Sequence, residues 1–166
     1  RAQDTVTFPC DFMLVATQNP CPCGYYLDPD HECTCTAHQI NQYSKKISGP
    51  LLDRIDLVVP VQKVAHKHLL PEKKLVENSQ SAILYSRINK ARTQQAKRFL
   101  SIEKTNAHMS NRDITDLALL ATDAKEFLES AAKKLSLSAR SYMKVIRVAR
   151  TIADLSQDPT IEIKHI

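Results

Sequence analysis

The amide of Asn19 is the first side chain along the sequence whose position suits chemistry. It follows the apolar run 12–17 and directly precedes Pro20, and a following proline favours an extended backbone. If the run is a strand of a parallel sheet, the amide lies at the carboxyl end, where ligands bind in open α/β sheets. An amide there can orient a water or contact a phosphate without titrating. A plain turn before proline suits the same residues.

The guanidinium of Arg54 is a second candidate. It lies in the stretch SGPLLDRIDL, between Asp53 and Asp56, where a broken helix leads into a strand. A guanidinium at a domain edge can reach a phosphate on a neighbouring subunit and stabilise charge that develops during hydrolysis. A surface ion pair with one of the flanking aspartates is the alternative.

Basic residues share one arc of the helix predicted near the end of the chain: Arg140, Lys144, Arg147 and Arg150. Arg140 falls within the first turn of that helix. A basic stripe of this kind can bind the phosphates of a nucleotide or of DNA. A solvated polar helix face has the same pattern.

A segment without helical or strand periodicity holds two C-x-C pairs, nine residues apart: Cys21, Cys23, Cys33 and Cys35. Four thiolates can bind Zn²⁺ in a closed site, whose role is structural because no coordination position stays open. His31 and His38 are nearby alternative ligands. Disulfides, which a reducing cytosol disfavours, and four inert thiols are also compatible with the spacing. Cys10 stands apart and is predicted to be a small core residue.

Glycine is scarce, with Gly24 and Gly49 the only two in 166 residues. Phosphate-binding loops need glycine for a close approach of the backbone, so the sequence contains neither a G-x-x-x-x-G-K-[ST] nor a G-x-G-x-x-G loop. Any nucleotide chemistry must therefore be completed by residues outside this sequence. The net charge of +5 allows acidic partners but identifies none.

The first part of the chain has α/β character. The run at 12–17 predicts a strand buried on both faces of a parallel sheet, and an irregular Cys-rich insert follows at 20–38. A short helix is predicted over 38–47. After the break at 48–50, a turn of helix and a strand at 56–61 are predicted.

The remainder of the chain is predicted to be helical. A polar and basic linker is expected at 63–78, which divides the chain into domains 1–62 and 79–166. Ile83, Leu84, Ile88 and Ala91 have helical spacing within a first helix that ends near Leu100. Further helices are predicted from Ser110-Asn111, over 123–135 and from Ser138 onward. The last has a core stripe made of Tyr142, Val145, Ile146, Ala149, Ile152 and Ala153.

Three of these stretches occur in an order that resembles a known family. FMLVATQNPCPCGYYLDP is similar to the strand and sensor-1 segment of magnesium-chelatase-like AAA+ ATPases, in particular their ComM/YifB branch. SGPLLDRIDL resembles their arginine-finger segment, and SARSYMKVIRVARTIADL resembles their sensor-2 helix. The resemblance implies an α/β fragment of a AAA+ core followed by an all-α helical lid domain, mostly helical overall.

The resemblance also implies roles for individual residues. Asn19 matches the sensor-1 position, Arg54 the arginine finger that acts on an adjacent subunit's nucleotide, and Arg140 the sensor-2 arginine, with Arg147 as second choice. The Walker A lysine loop and the Walker B acidic residues have no counterpart here. We therefore expect this chain alone not to hydrolyse ATP.

The family further implies ATP and Mg²⁺ as cofactors of a full-length ATPase, assembly into a homo-hexamer, and coupling to DNA processing. A magnesium chelatase subunit acting on porphyrin is a second hypothesis. A helix-turn-helix DNA-binding module over 123–166 is a third, because its second helix is basic.

The sequence also bears on location and completeness. It has neither an apolar run long enough to span a membrane nor a secretory signal, so we expect a cytoplasmic protein without a membrane partner. Because the sequence starts on Arg1 and stops within the pattern IEIKHI, we expect it to be part of a longer protein.

Overall fold

A computed structural model of the chain describes residues 5–8, 10–61 and 80–166. These residues form one compact unit that ends at Ser48, the N-terminal unit, and another that begins at Gly49, the C-terminal unit. Their helices are α1 (Ala37–Ser44), α2 (Gly49–Leu52), α3 (Gln80–Phe99), α4 (Asn111–Leu117), α5 (Thr122–Lys134) and α6 (Ala139–Ser156). Short 3₁₀ turns lie at Asn106–His108 and Ile163–His165.

Strands are the main difference from the prediction. Within the described ranges, the residues at 12–17 and 56–61 form no strand. Their side chains are exposed, with Met13 at 87% and Val58 at 79%. A central strand needs hydrogen bonds from two neighbours and burial on both faces, and the described residues supply neither. The mostly helical character is confirmed, whereas the α/β core stays a prediction.

The predicted linker at 63–78 lies outside the described residues. The proposed division into domains 1–62 and 79–166 therefore stays a prediction.

Local capping explains where the helices begin. The Ser110 hydroxyl accepts from the Asp113 N–H at 3.1 Å, and the Asp113 carboxylate accepts from the Ser110 N–H at 2.8 Å, a capping box that starts α4. The Ser138 hydroxyl likewise accepts from the Ser141 N–H at 3.1 Å and starts α6. Both helix starts were predicted and are confirmed. α6 ends at Ser156, and the left-handed φ of 63° at its C-cap Gln157 stops the helix.

The hydrophobic core of the C-terminal unit is built around α6. Ile146, Ala149 and Ala153 are buried on its inner face and pack with a core that includes Met109, Leu128 and Ile161. Of the rest of the predicted stripe, Tyr142 and Val145 are half-buried and pack against this core, whereas Ile152 is exposed.

α3 buries less than its pattern predicts. Ala91 is buried, but Ile83, Leu84 and Ile88 are each at least half exposed. The buried residues of α3, Ala91 and Gln95, lie in the second half of the helix. The apolar spacing of the first half therefore has no matching core surface among the described residues.

The end of the chain is tied into the same core by backbone hydrogen bonds. The Ala121 N–H donates to the Ile161 carbonyl at 3.0 Å, and the Ile161 N–H donates to the Leu119 carbonyl at 2.9 Å, which forms an isolated parallel bridge. The Ile161 side chain is fully buried. The sequence did not predict this bridge, because a two-residue contact has no periodicity.

A buried carboxylate, Asp154, joins three elements of the C-terminal unit. Arg98 of α3 donates to it through both terminal nitrogens, at 2.8 and 2.5 Å, and Asn106 of the first 3₁₀ turn donates at 2.8 Å. Arg150, one turn earlier on α6, donates through Nε at 3.1 Å. Burial by itself raises the pKa of Asp154, but the Arg98 and Asn106 hydrogen bonds and the Arg150 charge outweigh burial and lower it.

Arg150 is therefore not part of an exposed basic stripe. Only 1% of the residue is exposed, and its terminal nitrogens donate to the carbonyls of Ala118, Asp158 and Pro159. The prediction of an exposed basic stripe is therefore wrong at Arg150. A guanidinium has five donors, so it can satisfy several buried carbonyls at once.

Replacing Asp154 by Asn should destabilise the C-terminal unit. Removing one partner of a buried ion pair leaves an unpaired buried charge, which costs about 3–5 kcal/mol. Urea denaturation followed by circular dichroism measures the change, with Asp116→Asn as the control because its partner Arg112 is exposed. Equal unfolding midpoints for the two variants would contradict the assignment.

Because the pKa of Asp154 is lower in the folded protein, its contribution to the free energy of unfolding is fully present above about pH 4 and is lost as the pH falls further.

Candidate metal centre and candidate arginine sites

The sulfurs of Cys21, Cys23, Cys33 and Cys35 lie together in the N-terminal unit, all within 4.8 Å of one another. The Sγ of Cys21 is 3.3 Å from that of Cys23 and 3.7 Å from that of Cys33, and Cys23 and Cys33 are 3.6 Å apart. All four are free thiols. The two C-x-C pairs therefore converge on one point.

The loop between the two pairs holds the sulfurs in place. Gly24 has a φ of +86°, where a side chain would be strained, and its N–H donates to the Cys21 carbonyl at 3.1 Å. The Tyr26 N–H donates to the Cys21 sulfur at 3.3 Å. His31 stacks on Tyr25, with ring centroids 4.8 Å apart.

The sulfur separations are near those of a tetrathiolate metal site. A zinc–sulfur bond of about 2.3 Å places tetrahedral sulfurs about 3.8 Å apart. Cys21, Cys23 and Cys33 have separations of 3.3, 3.7 and 3.6 Å, and Cys35 lies within 4.8 Å of them. The group of side chains among the described residues that could hold a metal ion consists of the four cysteines, without His31 or His38. Such a site closes the coordination sphere and suits a structural ion.

The cysteine pKa values show how the sulfurs interact. Backbone hydrogen bonds, above all from the Tyr25 N–H, lower the pKa of Cys23 to about 5. The Cys35 N–H acts the same way on Cys33, but burial and the neighbouring Cys23 and Cys21 raise the pKa of Cys33 to about 12. Four thiolates this close repel one another, so only a cation among them makes all four stable.

Cys10 is exposed, so its prediction as a core residue is wrong. It lies two residues before the predicted strand at 12–17, whose residues are also exposed. Asn19, also in the N-terminal unit, is exposed. Its sensor-1 role stays a prediction.

Arg54 lies just after α2 and is exposed. The Arg54 N–H donates to the Leu51 carbonyl at 2.9 Å, and Nη1 of its side chain donates to the Pro50 carbonyl at 2.6 Å. In the described residues the guanidinium thus folds onto its own helical turn and does not pair with Asp53 or Asp56. The finger role stays a prediction.

The other basic residues of α6 have separate environments. Arg147 donates through Nε to the Met109 carbonyl at 3.0 Å, and Lys144 donates to the carbonyls of Asp53 and Ile55. Arg140 is exposed in the first turn. Of the predicted stripe, Arg140 is the exposed residue, and its side chain makes no hydrogen bond or ion pair with the described residues.

Sequence reasoning missed two sets of contacts in the C-terminal unit. Asp154 lies four residues after Arg150 on one helix, a spacing that could have indicated their pairing. The bonds from Arg98 to Asp154 and from Lys144 to the Arg54 segment join residues far apart in the chain, and no local signal indicates them.

No helix among the described residues is long and apolar enough to cross a membrane.

Comparisons with known proteins identify the family to which this chain is similar. Residues 1–69 match the family model described as magnesium chelatase, subunit ChlI, and residues 78–166 match that of the ChlI C-terminal part. The uncharacterized protein YifB of Escherichia coli (strain K12) is 34% identical over 166 residues, covering 100% of this chain and 31% of the relative. The competence protein ComM of Haemophilus influenzae is 35% identical over 170 residues, with the same coverage. The chain thus spans about a third of the length of these relatives.

The contacts of Arg147 and Arg140 predict different contributions to stability. Arg147→Ala removes a donor from the carbonyl of buried Met109 and should lower the free energy of unfolding by about 1–3 kcal/mol. Arg140→Ala should change it by no more than about 0.5 kcal/mol. Thermal denaturation of both variants tests the difference, and the reverse order would contradict the two environments.

Proposed function

Because the chain belongs to the magnesium chelatase subunit ChlI family, on the ComM/YifB branch of these AAA+ ATPases, we propose that it contributes the sensor and finger residues of an ATPase coupled to DNA processing. The observation that carries this proposal is the exposure of Arg54 and Arg140, the two residues to which the resemblance gives the finger and sensor-2 roles. An arginine that must reach a phosphate cannot be committed to the core.

Arg140 is the sensor-2 residue in this proposal, in preference to Arg147. The Arg147 side chain is part-buried and holds the Met109 carbonyl, so binding a nucleotide would cost it an internal hydrogen bond. Arg140 stands in the first turn of a capped 18-residue helix, where the helix dipole also favours an anion.

ATP and Mg²⁺ are held by residues outside this sequence, since its two glycines form no phosphate loop. Arg54 acts on the nucleotide of an adjacent subunit, so turnover requires an oligomer, and a homo-hexamer is the expected assembly. Asn19 positions the attacking water as the sensor-1 residue.

DNA is the proposed substrate of the ATPase, by analogy with a relative named as a competence protein. The rival helix-turn-helix hypothesis is weakened by the contacts of α6. Lys144, Arg147 and Arg150 of its would-be recognition helix bind carbonyls of this chain instead of facing solvent. A chelatase subunit acting on porphyrin is the alternative that the names of the two matched family models favour, but the relatives that align over the whole chain include YifB and the competence protein ComM.

The four-cysteine cluster is proposed to hold one structural Zn²⁺. Cys21, Cys23, Cys33 and Cys35 supply four sulfurs within 4.8 Å of one another, and backbone N–H groups such as that of Tyr26 stabilise thiolates. The ion would hold the loop together and take no part in ATP hydrolysis.

In the full-length gene product, Arg54→Ala should lower the kcat for ATP by about 10³-fold or more, the effect of removing an arginine finger. The KM for ATP should change little, because the finger acts on developing charge. Arg140→Ala and Asn19→Ala should also slow turnover. The control is Arg92→Ala, on an exposed face of α3. Wild-type turnover in Arg54→Ala would refute the assignment of the finger.

The chain purified without added metal should contain about one zinc ion, measured by elemental analysis. Cys21→Ser and Cys33→Ser should each lose most of it, because three sulfurs leave a site open to water. Cys10→Ser is the matched control and should retain the ion. A wild-type chain that takes up no zinc from a micromolar solution would rule the site out.

A further inference from the structure

The ammonium group of Lys144 bridges α6 and the segment that carries Arg54. Its Nζ donates to the Ile55 carbonyl at 2.7 Å and to the Asp53 carbonyl at 3.2 Å. These two carbonyls belong to the residues on either side of Arg54. A single side chain of α6 thus holds the backbone on both flanks of the proposed finger.

Backbone hydrogen bonds also restrict the conformation of the main chain at Arg54. The N–H groups of Asp53, Arg54 and Ile55 donate back to the carbonyls of Gly49, Leu51 and Leu52 at 2.9, 2.9 and 3.1 Å. The carbonyls of Asp53 and Ile55, at the end of this helical turn, accept from the Lys144 ammonium. The C-terminal end of the segment 49–55, which carries Arg54, is therefore held to α6, and Lys144 supplies the two hydrogen bonds that hold it.

The position of Lys144 on α6 gives this contact a second consequence. Arg140 and Arg147 lie four residues before it and three residues after it, so the three share one helix face, about one turn apart. Arg147 anchors that face to the Met109 carbonyl at 3.0 Å. Lys144 is therefore the α6 side chain that connects the helix segment carrying Arg140 to the backbone around Arg54.

We propose that Lys144 is a positioning residue that couples the nucleotide state sensed by Arg140 to the orientation of Arg54, and hence links one subunit's site to its neighbour's. The proposal rests on the roles of Arg54 and Arg140 proposed above. Lys144 itself touches no nucleotide in this scheme. Its effect on the reaction passes through the Arg54 backbone.

The test measures ATP turnover of the full-length gene product with Lys144→Met, Lys144→Arg and the matched surface control Lys125→Met. Misplacing a reacting group by about 1 Å costs up to about 10²-fold in rate, so Lys144→Met should lower kcat on the order of 10-fold with an unchanged KM for ATP. Lys144→Arg can still donate to two carbonyls and should recover part of the rate. Lys125→Met should match the wild type.

A second pair of variants separates this proposal from the assignment of the finger. In an Arg54→Lys background, where the finger is already impaired, Lys144→Met should have little further effect, because both changes act through one group. Equal losses in both backgrounds would overturn the coupling while leaving the finger intact. Wild-type turnover in Arg54→Ala would instead overturn the proposed function on which the coupling rests.

Hydrogen exchange gives a readout that does not depend on turnover. In Lys144→Met the amides of residues 53–56 should exchange faster, whereas those of α5 should be unchanged. If kcat falls while the protection of 53–56 stays the same, Lys144 does not act by holding this segment, and the proposal fails.

Discussion

The C-terminal unit depends on the buried carboxylate of Asp154. Three elements distant in sequence, α3, the turn at Asn106–His108 and α6, donate to this one group. Two guanidiniums and an amide offset the cost of burying a negative charge, and in return the carboxylate fixes the relative positions of those elements. The apolar contacts of Ile146 and Ala149 fill the space around this arrangement, but they lack the directionality that sets it.

α6 has a different function on each part of its surface. One face supplies the apolar core, and Arg150 and Asp154 supply the buried ionic network. Lys144 and Arg147 hold backbone carbonyls of two other segments. This leaves Arg140, in the first turn, as the basic residue directed at solvent. A helix with four basic residues along one arc in the sequence thus becomes, in the fold, a structural element with one exposed cation.

The parts of the fold that the sequence predicted are those with local causes. The starts of α4 and α6 follow from Ser110 and Ser138, whose hydroxyls cap amides three residues away. The clustering of the cysteines follows from their two short spacings. The strands predicted at 12–17 and 56–61 are absent from the described residues. Their apolar composition favours a strand, but a strand forms only where a neighbouring strand pairs with it, and composition does not supply that neighbour. The burial of Arg150 was missed because its partner carbonyls come from loops that no periodicity places beside α6. The roles proposed for Asn19, Arg54 and Arg140 rest on resemblance to the family, since these residue types by themselves are equally common in turns and on surfaces.

The N-terminal unit raises a different question about stability. Among its described residues, Cys21 is the one that is buried, and α1 buries no residue at all. The unit is thus organised around sulfur instead of hydrocarbon, and α1 begins directly after the last cysteine of the cluster, at its cap Thr36. If an ion binds the folded sulfurs and not the unfolded chain, the folding free energy of this unit rises with the logarithm of the free ion concentration. Its stability is then set by the surrounding metal supply as much as by its amino acids.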